Sequence, residues 1–239
     1  MVFEETARKL FEINITMNLL DLLFPKRCVS CGKFGGYICS TCFLKIEFVE
    51  NPVCPECQRQ SIGGRTHPGC SRRFGLDGLV VSCKYRGPIR KAIQKIKYRF
   101  ASDIHKILVS LIADSIWRFN LPKNIVLVPI PLYRSRKNWR GFNQAELLAR
   151  DLAIRFGEKY RSDLLKRTID TKTQVGLSGD ERRKNIKGAF VVNQNLKIKN
   201  QNFILVDDVF TTGSTMMEAA KVLKMAGAGE VWAMTVALD

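Results

Sequence analysis

Several familiar signatures are missing from this sequence. No apolar run reaches the ~18–20 residues of a membrane-spanning helix. Glu4 and Glu5 stand where a secretory signal would carry basic residues, and no long apolar core follows, so a cytoplasmic chain is expected. Glycine has no three-residue period, which excludes collagen. A nucleoside triphosphatase would need a Walker A loop, two glycines four residues apart followed by Lys and Ser or Thr. None occurs: the only Gly-Lys step is Gly32-Lys33. The three-glycine dinucleotide fingerprint is absent too. Histidine occurs twice in 239 residues, which leaves no obvious general base. His105, in a helical pattern, is expected at the surface.

Positive charge and cysteine are abundant. There are 39 Lys plus Arg against 22 Asp plus Glu, a net charge of +17. Such an excess faces something anionic: nucleic acid, a phosphorylated metabolite or a membrane surface. It is unevenly spread. Between Lys84 and Lys106 eight basic residues accompany one acid, whereas from Asn200 onward two accompany five acids. Arg90, Lys91, Lys95 and Lys97 are therefore candidates for contact with nucleic acid, single-stranded DNA in particular. The bland alternative is a solubilising surface. The 46% hydrophobic content is enough for a core and excludes wholesale disorder.

Seven of the eight cysteines fall between residues 26 and 73, a Gly- and Pro-rich segment with few apolar stretches. Such a segment needs a staple. Cysteines in a cytosolic chain point to metal or catalysis rather than disulfides. They come as Cys28–Cys31, Cys39–Cys42, Cys54–Cys57 and His67–Cys70, each with two residues between partners. That knuckle spacing lets both side chains converge on one ion. Eight N/S ligands make two closed tetrahedral Zn²⁺ sites. The simplest grouping is sequential, and a crossed grouping (first pair with third, second with fourth) is left open. Iron–sulfur is the alternative metal, and the histidine favours zinc. Cys83, in an apolar run, reads as a buried small hydrophobe.

Residues 2–24 read as a short amphipathic helix or two, ended by Pro25. The domains expected are 1–25, a helical segment; 26–73, the zinc module; and 74–239, a larger domain. In the last, strand-like runs (78–83, 125–130, 203–207, 230–237) alternate with helical patterns (88–98, 103–119, 142–157, 214–226). That alternation predicts βαβ units and a mostly parallel sheet. The most informative stretch begins with the apolar strand 203–206, which Asp207 and Asp208 end. Thr211, Thr212, Gly213, Ser214 and Thr215 then open a helix. Helix N-terminal amides with hydroxyls beside them form an anion cradle. Acids a few residues away suit a ligand with both hydroxyls and a phosphate, such as a ribose 5-phosphate.

The run from Ile204 to Thr215 resembles the phosphoribosyl-diphosphate (PRPP) motif of type I phosphoribosyltransferases. Tyr85-Arg86-Gly87-Pro88-Ile89-Arg90, Arg140-Gly141-Phe142-Asn143-Gln144 and Gln174-Val175-Gly176-Leu177-Ser178, behind the cysteine module, resemble the ComF family. The resemblance covers nearly the whole chain beyond the first twenty residues; His67 departs from it where many members would carry cysteine. It implies a type I phosphoribosyltransferase fold, a mostly parallel sheet flanked by helices, with a small N-terminal zinc-ribbon module. It also implies a link to natural competence and the uptake or processing of DNA, with DNA-processing proteins as partners. On that resemblance Asp207 and Asp208 hold the ribose hydroxyls and stabilise positive charge developing on the ring. Residues 211–215 hold the 5-phosphate. Arg134, Arg136 and Lys137 fall where the family turns its diphosphate loop, with Arg140, Arg182 and Arg183 as further candidates. Diphosphate travels with Mg²⁺. The polar stretch 168–187 is expected to close as a lid. The acceptor is not readable, and a non-catalytic DNA- or protein-binding role is the alternative.

Overall fold

The computed structural model describes residues 25–97, 104–170, 179–193 and 195–239. The helical expectation for 2–24 and the Gln174–Ser178 motif lie outside them. In chain order the elements are α1 (Ser40–Phe43), β1 (Gly78–Lys84), α2 (Gly87–Lys95), α3 (Ile104–Ala113), β2 (Ile125–Pro129), α4 (Arg134–Arg140) and α5 (Gln144–Phe156). They continue with β3 (Lys159–Tyr160), β4 (Leu165–Arg167), α6 (Gly179–Ile186), β5 (Phe190–Val192), β6 (Asn202–Phe210), α7 (Ser214–Met225) and β7 (Val231–Leu238).

Five strands form one sheet in the order β1-β7-β6-β2-β3, and every pairing is parallel. Parallel strands are covered on both faces and so read as near-continuous apolar runs. Along β6 the side chains of 203–206 alternate: Ile204 and Val206 join the core with α3 and α5, while Phe203 and Leu205 join the core with α7. Asp207 and Asp208 do not end β6. The strand runs on to Phe210, because Asp207 pairs with Thr235 and Phe210 with Leu238 along β7. β4 and β5 form a separate antiparallel pair.

The 103–119 helix expectation is too long. α3 stops at Ala113, where the Ser115 hydroxyl donates back to the Ile112 carbonyl (2.8 Å), and Ile116–Arg118 is a 3₁₀ turn. His105 is a second correction: only 6% exposed, it lies 2.8 Å from Asp151 of α5. It faces the α3–α5 contact rather than solvent.

The cysteine module covers the free edge of β1. Phe48 and Arg65 bridge to Cys83 and Gly78, with Val49 N donating to Ser82 O and Lys84 N to Glu47 O. An open strand edge invites aggregation, and this covering removes it. Ile38, Cys42, Phe43 and Ile46 of the module join the same core as Ile89 and Ile93 of α2. Cys83 is fully buried there. Among the described residues no helix is long and apolar enough to cross a membrane.

Candidate functional site

In the cysteine module, the ligand atoms of Cys28, Cys31, Cys39 and Cys42 all lie within 4.8 Å of one another, and so do those of Cys54, Cys57, His67 and Cys70. These are the sequential quartets. The Cys31 and Cys39 sulfurs are 3.6 Å apart; a tetrahedral ion with ~2.3 Å Zn–S bonds sets sulfurs about 3.8 Å apart. His67 presents Nδ1 to Cys57 Sγ at 3.4 Å. Its Nε2 is 3.0 Å from the Gln60 carbonyl, which can only accept, so Nε2 carries the proton and Nδ1 keeps a lone pair for metal. A partner that fixes the tautomer in this way is the usual support of a ligating histidine. The donor sets fit zinc held in closed, structural sites.

The second site follows from sheet topology. From β2 the chain passes through α4 and α5 to β3 on one side. From β6 it passes through α7 to β7 on the other. Connections that part in this way open a crevice at the carboxyl ends of β2 and β6, where α/β proteins bind ligands. A cavity of about 510 Å³ lies there, within the usual ~300–1,000 Å³ for small ligands.

Its walls gather much of what the sequence nominated. Asp207, Asp208 and Thr211–Thr215 line it, with Arg136 and Arg140 from α4. Gly213 caps α7 at φ +70° and has no side chain to cap it; the Ser214 N–H points at the Thr212 hydroxyl (3.5 Å). The Thr212 and Ser214 hydroxyls lie 2.7 Å apart. Buried Asn143 ties the end of β2 to the start of α5, its Nδ2 donating to Ile130 O (3.0 Å) and its Oδ1 accepting from Ala145 N (3.1 Å). Arg140 donates to Gln144 (3.0 Å). Arg134 and Lys137 stand outside the lining, and Lys137 pairs with Glu146 at 2.8 Å. The side chain of Arg182 lies outside the described residues.

The four nucleic-acid candidates part company. Arg90 and Lys97 line the cavity, with Tyr85 and Gln94 beside them. Lys91 donates to the Ser30 carbonyl of the first knuckle (2.9 Å), and Lys95 sits in the last turn of α2. Lys97 lies 3.2 Å from Asp208. Burial works to lower the Lys97 pKa, but the Asp208 and Asp207 carboxylates outweigh it and hold it above the ordinary value. Arg167 of β4 also lines the cavity; burial and then nearby Arg136 lower its pKa. Arg167 belongs to no motif in the sequence, whereas Tyr85 opens the Tyr85–Arg90 run and directly follows β1, where the strand-end rule also points.

Asp207 lies on the cavity wall, and its carboxyl is pushed up to about 8, first by desolvation and then by the Asp208 charge. In the unfolded chain it titrates near ~3.9. Below that value both states are protonated and the native state keeps its full advantage. As pH rises the unfolded chain sheds its proton first, so stability is lost until pH passes about 8. Asp207→Asn should therefore raise the melting temperature of the ligand-free protein at pH 8, on the order of 5 °C. The gain should vanish near pH 4. A thermal scan across pH checks this; a gain independent of pH would contradict it.

The fold and its two sites define a type I phosphoribosyltransferase domain carrying a double zinc ribbon. Comparison with known proteins agrees. Residues 19–71 match the double zinc ribbon domain and residues 141–239 the phosphoribosyl transferase domain. Competence protein F of Haemophilus influenzae is 33% identical over 224 residues, covering 87% of this chain and 95% of that protein. DNA utilization protein YhgH of Escherichia coli K12 is 31% identical over 232 residues, covering 89% and 98%. Competence protein ComFC of Bacillus subtilis is 29% identical over 219 residues, covering 89% and 85%. The chain belongs to the ComF family of competence proteins.

Proposed function

We propose that this chain binds PRPP with Mg²⁺ in the cytoplasm and serves DNA uptake or processing. The observation that carries the reading is the convergence of Asp207, Asp208 and loop 211–215 on one cavity with Arg136 and Arg140. The ribose hydroxyls donate to Asp207 and Asp208, replacing the Lys97 ion pair as one partner of Asp208. The 5-phosphate sits at the amino end of α7, where the first backbone amides of the helix and the Thr212 and Ser214 hydroxyls meet it. Arg136 and Arg140 face the diphosphate. Mg²⁺, a hard cation that keeps several waters, would supply charge neutralisation on the diphosphate, with Asp207 and Asp208 as the carboxylates available to hold it. In transfer, the C1–O bond breaks with its electron pair leaving on diphosphate while an acceptor nucleophile bonds C1. With PRPP and Mg²⁺ bound, Asp207 would shed the proton that its raised pKa keeps in the ligand-free site, and the two carboxylates would then stabilise the cationic ring between those events. The zinc ribbon is structural in this reading, and metal-bound cysteines suit a reducing compartment. The names of the relatives support the connection to DNA.

Calorimetry decides the binding part. Wild type should give heat with PRPP and Mg²⁺. Asp207→Asn with Asp208→Asn should weaken binding about 100-fold or more, since a hydrogen bond to a charged group contributes ~1.5–3 kcal/mol. No wild-type heat, or equal binding by the double variant, would sink the reading. A silent PRPP titration with salt-sensitive retention of single-stranded DNA would favour the non-catalytic alternative on the basic rim.

A further inference from the structure

The two ribbons open with knuckles of the same build. In the first, Gly32 N donates to Cys28 O and Cys28 N to Lys33 O, both at 2.8 Å; in the second, Gln58 N donates to Cys54 O and Cys54 N to Arg59 O, both at 2.9 Å. The residue after the second cysteine is left-handed in each: Gly32 at φ +78° and Gln58 at φ +55°. Glycine takes this conformation freely, whereas a side chain there is strained. Strain of this kind persists where the residue serves another purpose. At position 58 that purpose is visible. Gln58 Nε2 donates to the Thr211 carbonyl at 2.9 Å, a contact across 153 positions of sequence. The acceptor is a carbonyl, which fixes the amide nitrogen as donor. Thr211 opens the loop that lines the cavity. Because the peptide unit is planar, holding this carbonyl also fixes the direction of the Thr212 N–H.

We propose that Gln58 is a positioning residue that ties the phosphate loop to the second metal knuckle, so that metal on Cys54, Cys57, His67 and Cys70 and ligand on residues 211–215 bind cooperatively. The inference rests on reading 211–215 as a phosphoribosyl site. Coupling between two sites is reciprocal. Metal orders the knuckle, the knuckle holds Gln58, and Gln58 holds the loop; a ligand that orders the loop must tighten the metal by the same factor.

The test uses the full chain loaded with zinc. Gln58→Gly removes the side chain while adopting the backbone of the first knuckle, so it should keep both ions and melt no lower than wild type. Three readouts follow. Amide hydrogen exchange across 211–217 should quicken several-fold in Gln58→Gly. The PRPP–Mg²⁺ dissociation constant should rise about 2- to 5-fold, the effect of one exposed hydrogen bond, and further in Gln58→Glu, whose carboxylate repels the carbonyl. In wild type, PRPP should slow the loss of one of two zinc ions to a chelator, and in Gln58→Gly it should not. Unchanged exchange, or zinc loss in wild type that ignores PRPP, would overturn the proposal. Absence of any PRPP heat in wild type would instead overturn the phosphoribosyl reading, and the exchange experiment would still decide whether Gln58 holds the loop.

Discussion

Removing zinc with excess chelator at pH 7 should release two ions per chain and lower the melting temperature by well over 10 °C. The ribbon has little core of its own. Its buried side chains, Ile38, Phe43 and Ile46, are shared with α2 and the sheet, and its backbone covers the edge of β1. Structural zinc contributes ~10–16 kcal/mol in isolated ribbons, comparable with the ~5–15 kcal/mol of a whole domain. Without metal the four ligands of each quartet have no reason to stay within 4.8 Å, and the edge of β1 opens with them. Melting that ignores metal removal would refute a structural role. The grouping of ligands is testable in the same assay. Cys28→Ser with Cys39→Ser damages one site if the quartets are sequential, leaving one ion. It damages both if they are crossed, leaving none. The geometry requires one.

The contrast between what could and could not be read from the sequence is sharpest at these two sites. Knuckle spacing is local, so Cys28–Cys31 and Cys54–Cys57 announce themselves without any tertiary information. The loop 211–215 is local as well, because a strand, a glycine turn and a helix start are contiguous in sequence. Lys97 is the opposite case. Nothing near it says that it meets Asp208 at 3.2 Å, since that depends on how α2 crosses the end of the sheet. Within a basic run it reads as a nucleic-acid contact or as solvated charge. His105 was misread for the same reason: its partner Asp151 is 46 positions away. β6 outran its apolar pattern because its neighbour β7 offers a ladder as far as Leu238, and ladder pairing overrides the polarity of two acids. α4 has no buried residue and no apolar period to reveal it; Gly141, left-handed at its end, stops it. The short strands β3, β4 and β5 hold two or three residues each, too few to show a period.

Gly213→Ala should abolish phosphoribosyl binding and destabilise the chain while leaving both zinc ions in place. Two costs combine. Gly213 is left-handed at φ +70°, which costs a residue with a Cβ about 1–2 kcal/mol. An added Cβ also falls 2.4 Å from Phe210 Cζ and 3.0 Å from Met217 Cε. Phe210 is fully buried and cannot swing away, and overpacking of this kind costs about 1–3 kcal/mol. Together they lower the melting temperature on the order of 10 °C. The structure relieves the clash by displacing the start of α7, where Met217 N donates to the Gly213 carbonyl (2.8 Å). That displacement moves the amides that meet the phosphate, so affinity for PRPP should fall at least 100-fold. Gly227 supplies the control. It is also left-handed, at φ +89°, but an added Cβ comes no nearer than 3.7 Å to its neighbours. Gly227→Ala therefore carries the backbone cost alone, at the far end of the same helix, and should lose a few degrees of stability with PRPP binding intact. If Gly213→Ala bound PRPP as wild type does, the amino end of α7 would not be the phosphate cradle. If both variants lost binding equally, the loss would belong to helix stability rather than to the loop.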